Sequence, residues 1–127
     1  MKNILTKIII IVSIIGLFYI MTRPPKINNS ANADVVFYYG EECPHCHNVL
    51  KYIADNKIDQ KIKINSLEVY HNNVNKNELT NLARICPEIQ DSTGAIGVPV
   101  AYFVKENKCL VGDTPIIDSL KSIIKSQ

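Results

Sequence analysis

The spacing of apolar residues divides the chain into three unequal parts. From Ile4 to Met21 the positions are apolar almost without break, reading IIIIVSIIGLFYIM over 8–21 with no charge and no proline. No polar face recurs at helical spacing, which argues against the amphipathic helix of a soluble core. Eighteen residues at helical rise reach roughly 27 Å, close to the hydrocarbon thickness of a bilayer, and Lys7 can snorkel from near one end. The pattern predicts a membrane helix through residues 4–21, within an anchor at 1–22. Residues 23–33, RPPKINNSANA, read as a linker. Pro24 and Pro25 stop a helix and favour extended backbone, and Asn28 to Ala33 is small and polar with nothing to bury.

Residues 34–127 then alternate between periods. Val35-Val36-Phe37-Tyr38-Tyr39 is a continuous apolar run, as in a strand buried on both faces, and Gly40 breaks it. Cys46, Val49/Leu50, Ile53 and Ala54 recur at helical spacing after Cys43-Pro44, with Asp55-Asn56 at the end. From Lys61 to Val69 the alternation runs through Ile62 and Ile64 and then shifts phase to Leu67 and Val69, predicting a strand with a bulge. Leu79, Leu82, Ala83 and Cys86 fit i, i+3, i+4, i+7 on a second helix. Val98 to Val104 is the next strand, Lys105 to Lys108 a polar turn, and Cys109 to Val111 its antiparallel partner. Thr114 caps a last helix with Pro115 at its first position and Ile116, Leu120, Ile123 and Ile124 as its stripe. The order β-α-β-α-β-β-α predicts an α/β domain, a mixed sheet with helices on both faces.

Charge refines the picture. The net charge of +2 conceals a division: Lys2, Lys7, Arg23 and Lys26 are all the charges of residues 1–33, and the remaining 94 residues carry 10 basic against 12 acidic side chains. That balance argues against a nucleic-acid-binding surface, whose electrostatic footprint is a basic patch. The α-amino group, Lys2 and Lys7 favour a cytoplasmic N-terminus, which places the domain outside. A cleaved signal peptide is the alternative, since Ala31-Asn32-Ala33 has the small-residue chemistry of a cleavage site, although it lies well beyond Met21. Either way the domain occupies a compartment where disulfides persist, anchored by a single span or secreted after cleavage.

The chemistry is concentrated in Cys43-Pro44-His45-Cys46. Two cysteines three positions apart at a helix start can close a small disulfide ring. There the unpaired N–H groups and the positive end of the dipole stabilise a thiolate on Cys43, with His45 adding to the effect. Cys43 is expected as the exposed nucleophile and Cys46 as the resolving thiol. Lowering a thiol pKa from about 8.5 to about 3.5 corresponds to roughly 7 kcal/mol of preference for the anion. A stabilised thiolate makes the corresponding disulfide a stronger oxidant.

With Tyr38-Tyr39-Gly40-Glu41-Glu42-Cys43-Pro44-His45-Cys46 and the later Gly97-Val98-Pro99, the chain resembles the thioredoxin superfamily. Its Cys-Pro-His-Cys motif is similar to that of bacterial periplasmic disulfide oxidases of the DsbA type. The resemblance implies a thioredoxin-like fold over about 34–125, a cis bond before Pro99 opposite the cysteines, and a Val98 backbone that pairs with an extended substrate peptide. It implies protein thiols and disulfides as substrates, no prosthetic group, and a membrane partner of the DsbB or vitamin K epoxide reductase type for recycling. The chain departs from the family in lacking tryptophan, with Glu42 before the first cysteine, and 94 residues leave no room for a large helical insertion. Glu68 is a candidate proton acceptor for Cys46 by location alone.

Other readings compete for the same residues. Cys43, Cys46 and His47 could form a copper or zinc site in a copper-handling module, and Cys-x-x-Cys-His also resembles a haem attachment sequence, for which no distal Met presents itself. His47 otherwise reads as a solvated helical residue, and His71 as a loop residue. Cys86 and Cys109 are either two buried thiols or, as an even count in an oxidising compartment suggests, a structural disulfide. Gly94-Ala95-Ile96-Gly97 lacks a phosphate-loop lysine and a following helix, so it reads as a turn leading to Pro99. Glu41-Glu42 reads as a solvated acidic pair that opposes a thiolate at Cys43 by like-charge repulsion.

Overall fold

The structure, a computed structural model, describes residues 2–22 and 27–126. Helix α1 (Lys2–Met21) is apolar from Ile8 onward apart from Ser13, and its stretch Asn3–Met21, with a mean hydropathy of 2.5, is none of it buried against the protein. It is long and apolar enough to cross a membrane, or to serve as a signal sequence. Of the expected linker, Arg23 to Lys26, and with them the expected effect of Pro24-Pro25, lie outside the described residues. The rest of it is not free chain. Ile27 is buried in the domain, Asn28–Ser30 forms a short 3-10 turn, and the Asn29 amide donates to Glu78 at 2.7 Å.

Besides short 3-10 turns, the described chain has four α-helices and four strands: α1, then β1 (Val35–Tyr39), α2 (Pro44–Asp55), β2 (Ile64–Glu68), α3 (Asn73–Leu82), β3 (Val100–Phe103), β4 (Lys108–Val111) and α4 (Asp113–Lys125). The sheet order is β2-β1-β3-β4, with β1 parallel to β2 and antiparallel to β3, and β4 antiparallel to β3. This is the expected mixed α/β sheet with helices on both faces. Val36 and Tyr38 point to a core shared with Leu79 and Leu82 of α3, while Val35 and Phe37 point to one shared with Val49 and Ile53 of α2 and Ile116 and Leu120 of α4. An apolar run with no alternation is what a central strand needs when both faces are covered. Each such side chain contributes on the order of 1.5–3 kcal/mol through burial.

Four expectations are corrected. The strand around Ile62–Val69 has no bulge, because β2 keeps unbroken register with β1 from Val35↔Ile64 to Tyr39↔Glu68. Its phase shift arises because Ile62 and Ile64 feed one core and Leu67 and Val69 the other. Helix α3 stops at Leu82, so Cys86 lies beyond it, before the turn Pro87–Ile89, although its N–H still reaches the Leu82 carbonyl at 2.9 Å. Strand β3 begins at Val100 rather than Val98. Helix α4 begins at Asp113, after Gly112 in a positive-φ conformation (φ 91°), so Thr114 is not its cap and Pro115 is third in the helix.

A buried carboxylate escaped the sequence reading. Glu78, next to Leu79 on α3, is 8% exposed and accepts from the Tyr38 hydroxyl at 3.1 Å as well as from Asn29. Burial, reinforced by this neighbouring carboxylate, pushes the Tyr38 phenol well above its usual range. Glu78 thus ties α3, the central strand and the second half of the expected linker to one point. Glu78→Ala strands the buried Tyr38 hydroxyl without its acceptor, and urea unfolding should show a loss of about 2–3 kcal/mol. Tyr38→Phe introduced into Glu78→Ala should cost less than Tyr38→Phe alone, a coupling that a double-mutant cycle measures.

Candidate redox site

The site is built where β1 runs out. Gly40 follows the strand and lies so close to the Tyr70 ring that a Cβ there would overlap it. The chain then turns, with the Cys43 N–H on the Gly40 carbonyl at 3.1 Å, and α2 starts. Cys43 is the residue that caps α2: its backbone is extended (φ −89°, ψ 110°) and its sulfur receives the Cys46 N–H at 3.2 Å. Pro44 occupies the first turn, where its missing N–H costs nothing. Cys43 and Cys46 form a disulfide with a Cα–Cα separation of 5.2 Å.

Access differs from expectation. Cys43 is only 6% exposed and Cys46 fully buried, so Cys43 is the more accessible sulfur residue but not an open one. It is covered by the loop that leads into β3: the Val98 carbonyl oxygen lies 3.6 Å from the Cys43 sulfur. Val98 is half-buried, Pro99 fully buried, and the bond between them is cis. The Pro99 carbonyl accepts the Gly112 N–H at 2.9 Å, joining this loop to the start of α4. Upstream, Gly94 takes a positive φ of 83° and the Asp91 carboxylate receives the N–H groups of Thr93 and Ala95, so 91–97 is a turn leading to Val98, as expected.

The polar residues around the cysteines are paired. His45 Nδ1 donates to Asp113 at 3.0 Å, and the Asn48 amide donates to the same oxygen at 2.7 Å. Asn48 first and His45 second hold the Asp113 carboxyl down, from an ordinary 3.8 to about 2. Glu42 pairs with His71 at 2.6 Å, which raises the His71 pKa and gives the carboxylate expected to oppose a Cys43 thiolate a fixed hydrogen-bonding partner. The Glu68 carboxylate accepts the N–H groups of Tyr70 and His71 at 2.6 and 2.8 Å. Desolvation acts to raise its pKa, but the His71, Tyr70 and Glu41 N–H groups outweigh it and hold the carboxyl below its usual value. Glu68 is committed to the turn after β2, and among the described residues no hydrogen bond joins it to Cys46.

His47 Nε2 donates to the Glu41 carbonyl at 2.7 Å. Among the described residues its ring does not close on the two sulfurs, so Cys43, Cys46 and His47 are not assembled as a metal site. The cluster that does gather ligand atoms is Cys86, Glu88 and Cys109, but its two sulfurs are bonded to each other across a Cα–Cα distance of 6.1 Å. That disulfide, expected from the sequence as one of two readings, joins the turn before the Val98 loop to β4. By chain entropy it contributes about 3 kcal/mol.

No protein-family model and no curated protein matches this chain. The site therefore rests on its own chemistry. Of the residues singled out in the sequence, the fold brings Cys43, Cys46, His45, Val98 and Pro99 to one end of the sheet and leaves Cys86 and Cys109 away from it. Asp113 and Asn48 were missed. The signal was present in the acidic residue at the start of the last helix, but only the packing of α2 on α4 gives it His45 as a partner.

A depressed carboxyl pKa stabilises the fold above its unfolded value and loses that contribution as pH falls through the folded one. Asp113 should therefore contribute at pH 5 and progressively less between about pH 4 and 2. In Asp113→Asn the difference in thermal midpoint between pH 5 and pH 2.5, followed by circular dichroism, should shrink relative to the parent protein.

Proposed function

We propose that this chain is a membrane-tethered, extracytoplasmic thiol–disulfide oxidoreductase of the thioredoxin superfamily, acting as an oxidant of protein thiols. The observation that carries the reading is the Cys46 N–H directed at the Cys43 sulfur from the start of α2. Reduction of the disulfide leaves a thiolate on Cys43 at a point where a backbone donor and the positive helix end favour negative charge. The strand order β2-β1-β3-β4 and the loop ending in Val98-Pro99 beside the sulfur support the resemblance. The apolar α1 supports the tether.

A substrate thiolate attacks the Cys43 sulfur, the only one of the pair with any surface. The Cys43–Cys46 bond breaks, its electron pair goes to the Cys46 sulfur, which takes up a proton, and a mixed disulfide forms. A second substrate thiolate attacks the substrate sulfur of that bond and expels Cys43 as a thiolate. The substrate is oxidised by two electrons and the Cys43/Cys46 pair is reduced by two. The Val98 backbone offers hydrogen bonds to an extended substrate segment on the way in. The pairing of Glu42 with His71 lessens the repulsion a Cys43 thiolate meets and so favours the oxidising direction.

Equilibration of the full chain with glutathione buffers tests this. The Cys43–Cys46 pair should titrate as one two-electron couple lying nearer about −120 mV than about −270 mV. Insulin reduction should be catalysed by the parent protein and abolished in Cys43→Ser. A pair that does not exchange with glutathione, or activity that survives Cys43→Ser, overturns the reading. A potential near about −270 mV overturns the oxidising direction.

A further inference from the structure

The two ends of the sheet differ in charge. At the end where β1 begins, Lys61, Lys121 and Lys125 border a cleft of about 160 Å³ floored by Tyr52, Ile58 and Ile124. Lys63 and Lys105 flank Asp34 nearby, and Lys108 opens β4 beside the last turn of α4. Among the described residues, ion pairs engage Lys105 with Asp34 at 2.8 Å and Lys121 with Asp118 at 3.1 Å. Lys57, Lys61, Lys63, Lys108 and Lys125 are exposed there without an ionic partner, and Asp59 and Glu106 are the unpaired acids among them. The opposite end, around Cys43, carries Glu41, Glu42, Glu68, Asp91 and Asp113, with Lys76 on α3.

The chain enters the domain at the basic end. Ile27 is buried, the Asn65 amide donates to the Asn29 carbonyl at 3.3 Å, and Asn29, Ala33 and Lys63 line one shallow cleft. Between Thr22, which closes α1, and Ile27 there are five peptide steps, and an extended chain spans at most about 18 Å over that length. A domain held so near a bilayer brings this face close to the headgroups, where charges act within a Debye length of about 8 Å.

We propose that this lysine face docks on the anionic phospholipid headgroups of the membrane that holds α1, with the Lys61–Lys121–Lys125 cleft receiving a headgroup phosphate. This rests on the tethered reading given above. Docking turns the acidic end, and with it Cys43, away from a surface of like charge and toward soluble chains. The apolar stems of the lysines and the Tyr52 ring, which Lys121 overlies at 5.8 Å, suit the boundary between headgroup and water.

The full chain is reconstituted in nanodiscs of phosphatidylcholine, alone or with about one-third phosphatidylglycerol, and its amines are footprinted with an N-hydroxysuccinimide ester and mass spectrometry. Lys61, Lys121 and Lys125 should react about three-fold or more slowly in the anionic discs at low salt. That protection should vanish near about 0.5 M salt, and Lys76 should react alike in both discs. In Lys61→Glu/Lys125→Glu the difference at Lys121 should be lost. Equal reactivity in the two discs overturns the proposal, as does protection that is the same in neutral discs and indifferent to salt, the pattern of a protein partner or of burial. A chain that leaves the discs in alkaline carbonate overturns the tether and the docking together, while the glutathione titration of Cys43–Cys46 judges the redox reading separately.

Discussion

The site depends on one contact: a backbone N–H from the first turn of α2 aimed at the sulfur of the residue that caps it. A capping position ordinarily holds an oxygen from Ser, Thr, Asp or Asn, which satisfies a donor that the helix leaves orphaned. Here sulfur takes that place, and the orphaned donor becomes a fixed partial positive charge beside a disulfide sulfur. The constraint is geometric before it is chemical. Gly40 must let the chain turn under the Tyr70 ring, and Pro44 must start the helix, for Cys43 to be extended and Cys46 to present its N–H.

Around that contact the fold supplies neighbours from three distant segments. The loop before β3 lays the Val98 carbonyl against the sulfur, α4 brings Asp113 to His45 and Asn48, and the turn after β2 brings His71 to Glu42. The first lies over Cys43, which keeps only a small remnant of surface. The last two give the histidine and the acid nearest Cys43 in the chain fixed partners.

The point where the chain enters the domain and the Cys43–Cys46 disulfide sit at opposite poles of the same sheet. The parallel pairing of β1 with β2 sends both strands from the linker end toward the site, and α2 and α4 return between those poles. Glu78 strengthens the linker end by fastening Asn29 to α3 and to Tyr38. The expected eleven-residue linker is consequently shorter in effect, because Ile27 is apolar enough to be drawn into the core while its polar neighbours find partners at the sheet edge.

The linear order of residues by itself determined the apolar helix and, after it, the arrangement of four strands and three helices, with the central strand and the helix that Cys43 caps. These follow from local periodicity and from Gly and Pro at the breaks, which act within a few residues. It also identified Cys43 and Cys46, since a ring closed over three positions needs nothing from the rest of the chain. Only tertiary structure decided how far Cys43 is covered, that Asp113 holds His45, that Glu78 is buried, and which core each half of β2 serves. Every one of these joins residues far apart in sequence, where pairing is set by packing across the sheet rather than by spacing along it. The boundaries that moved, at the end of α3 and the start of α4, moved because Cys86 is drawn to Cys109 and Gly112 can take the positive φ that turns β4 into α4.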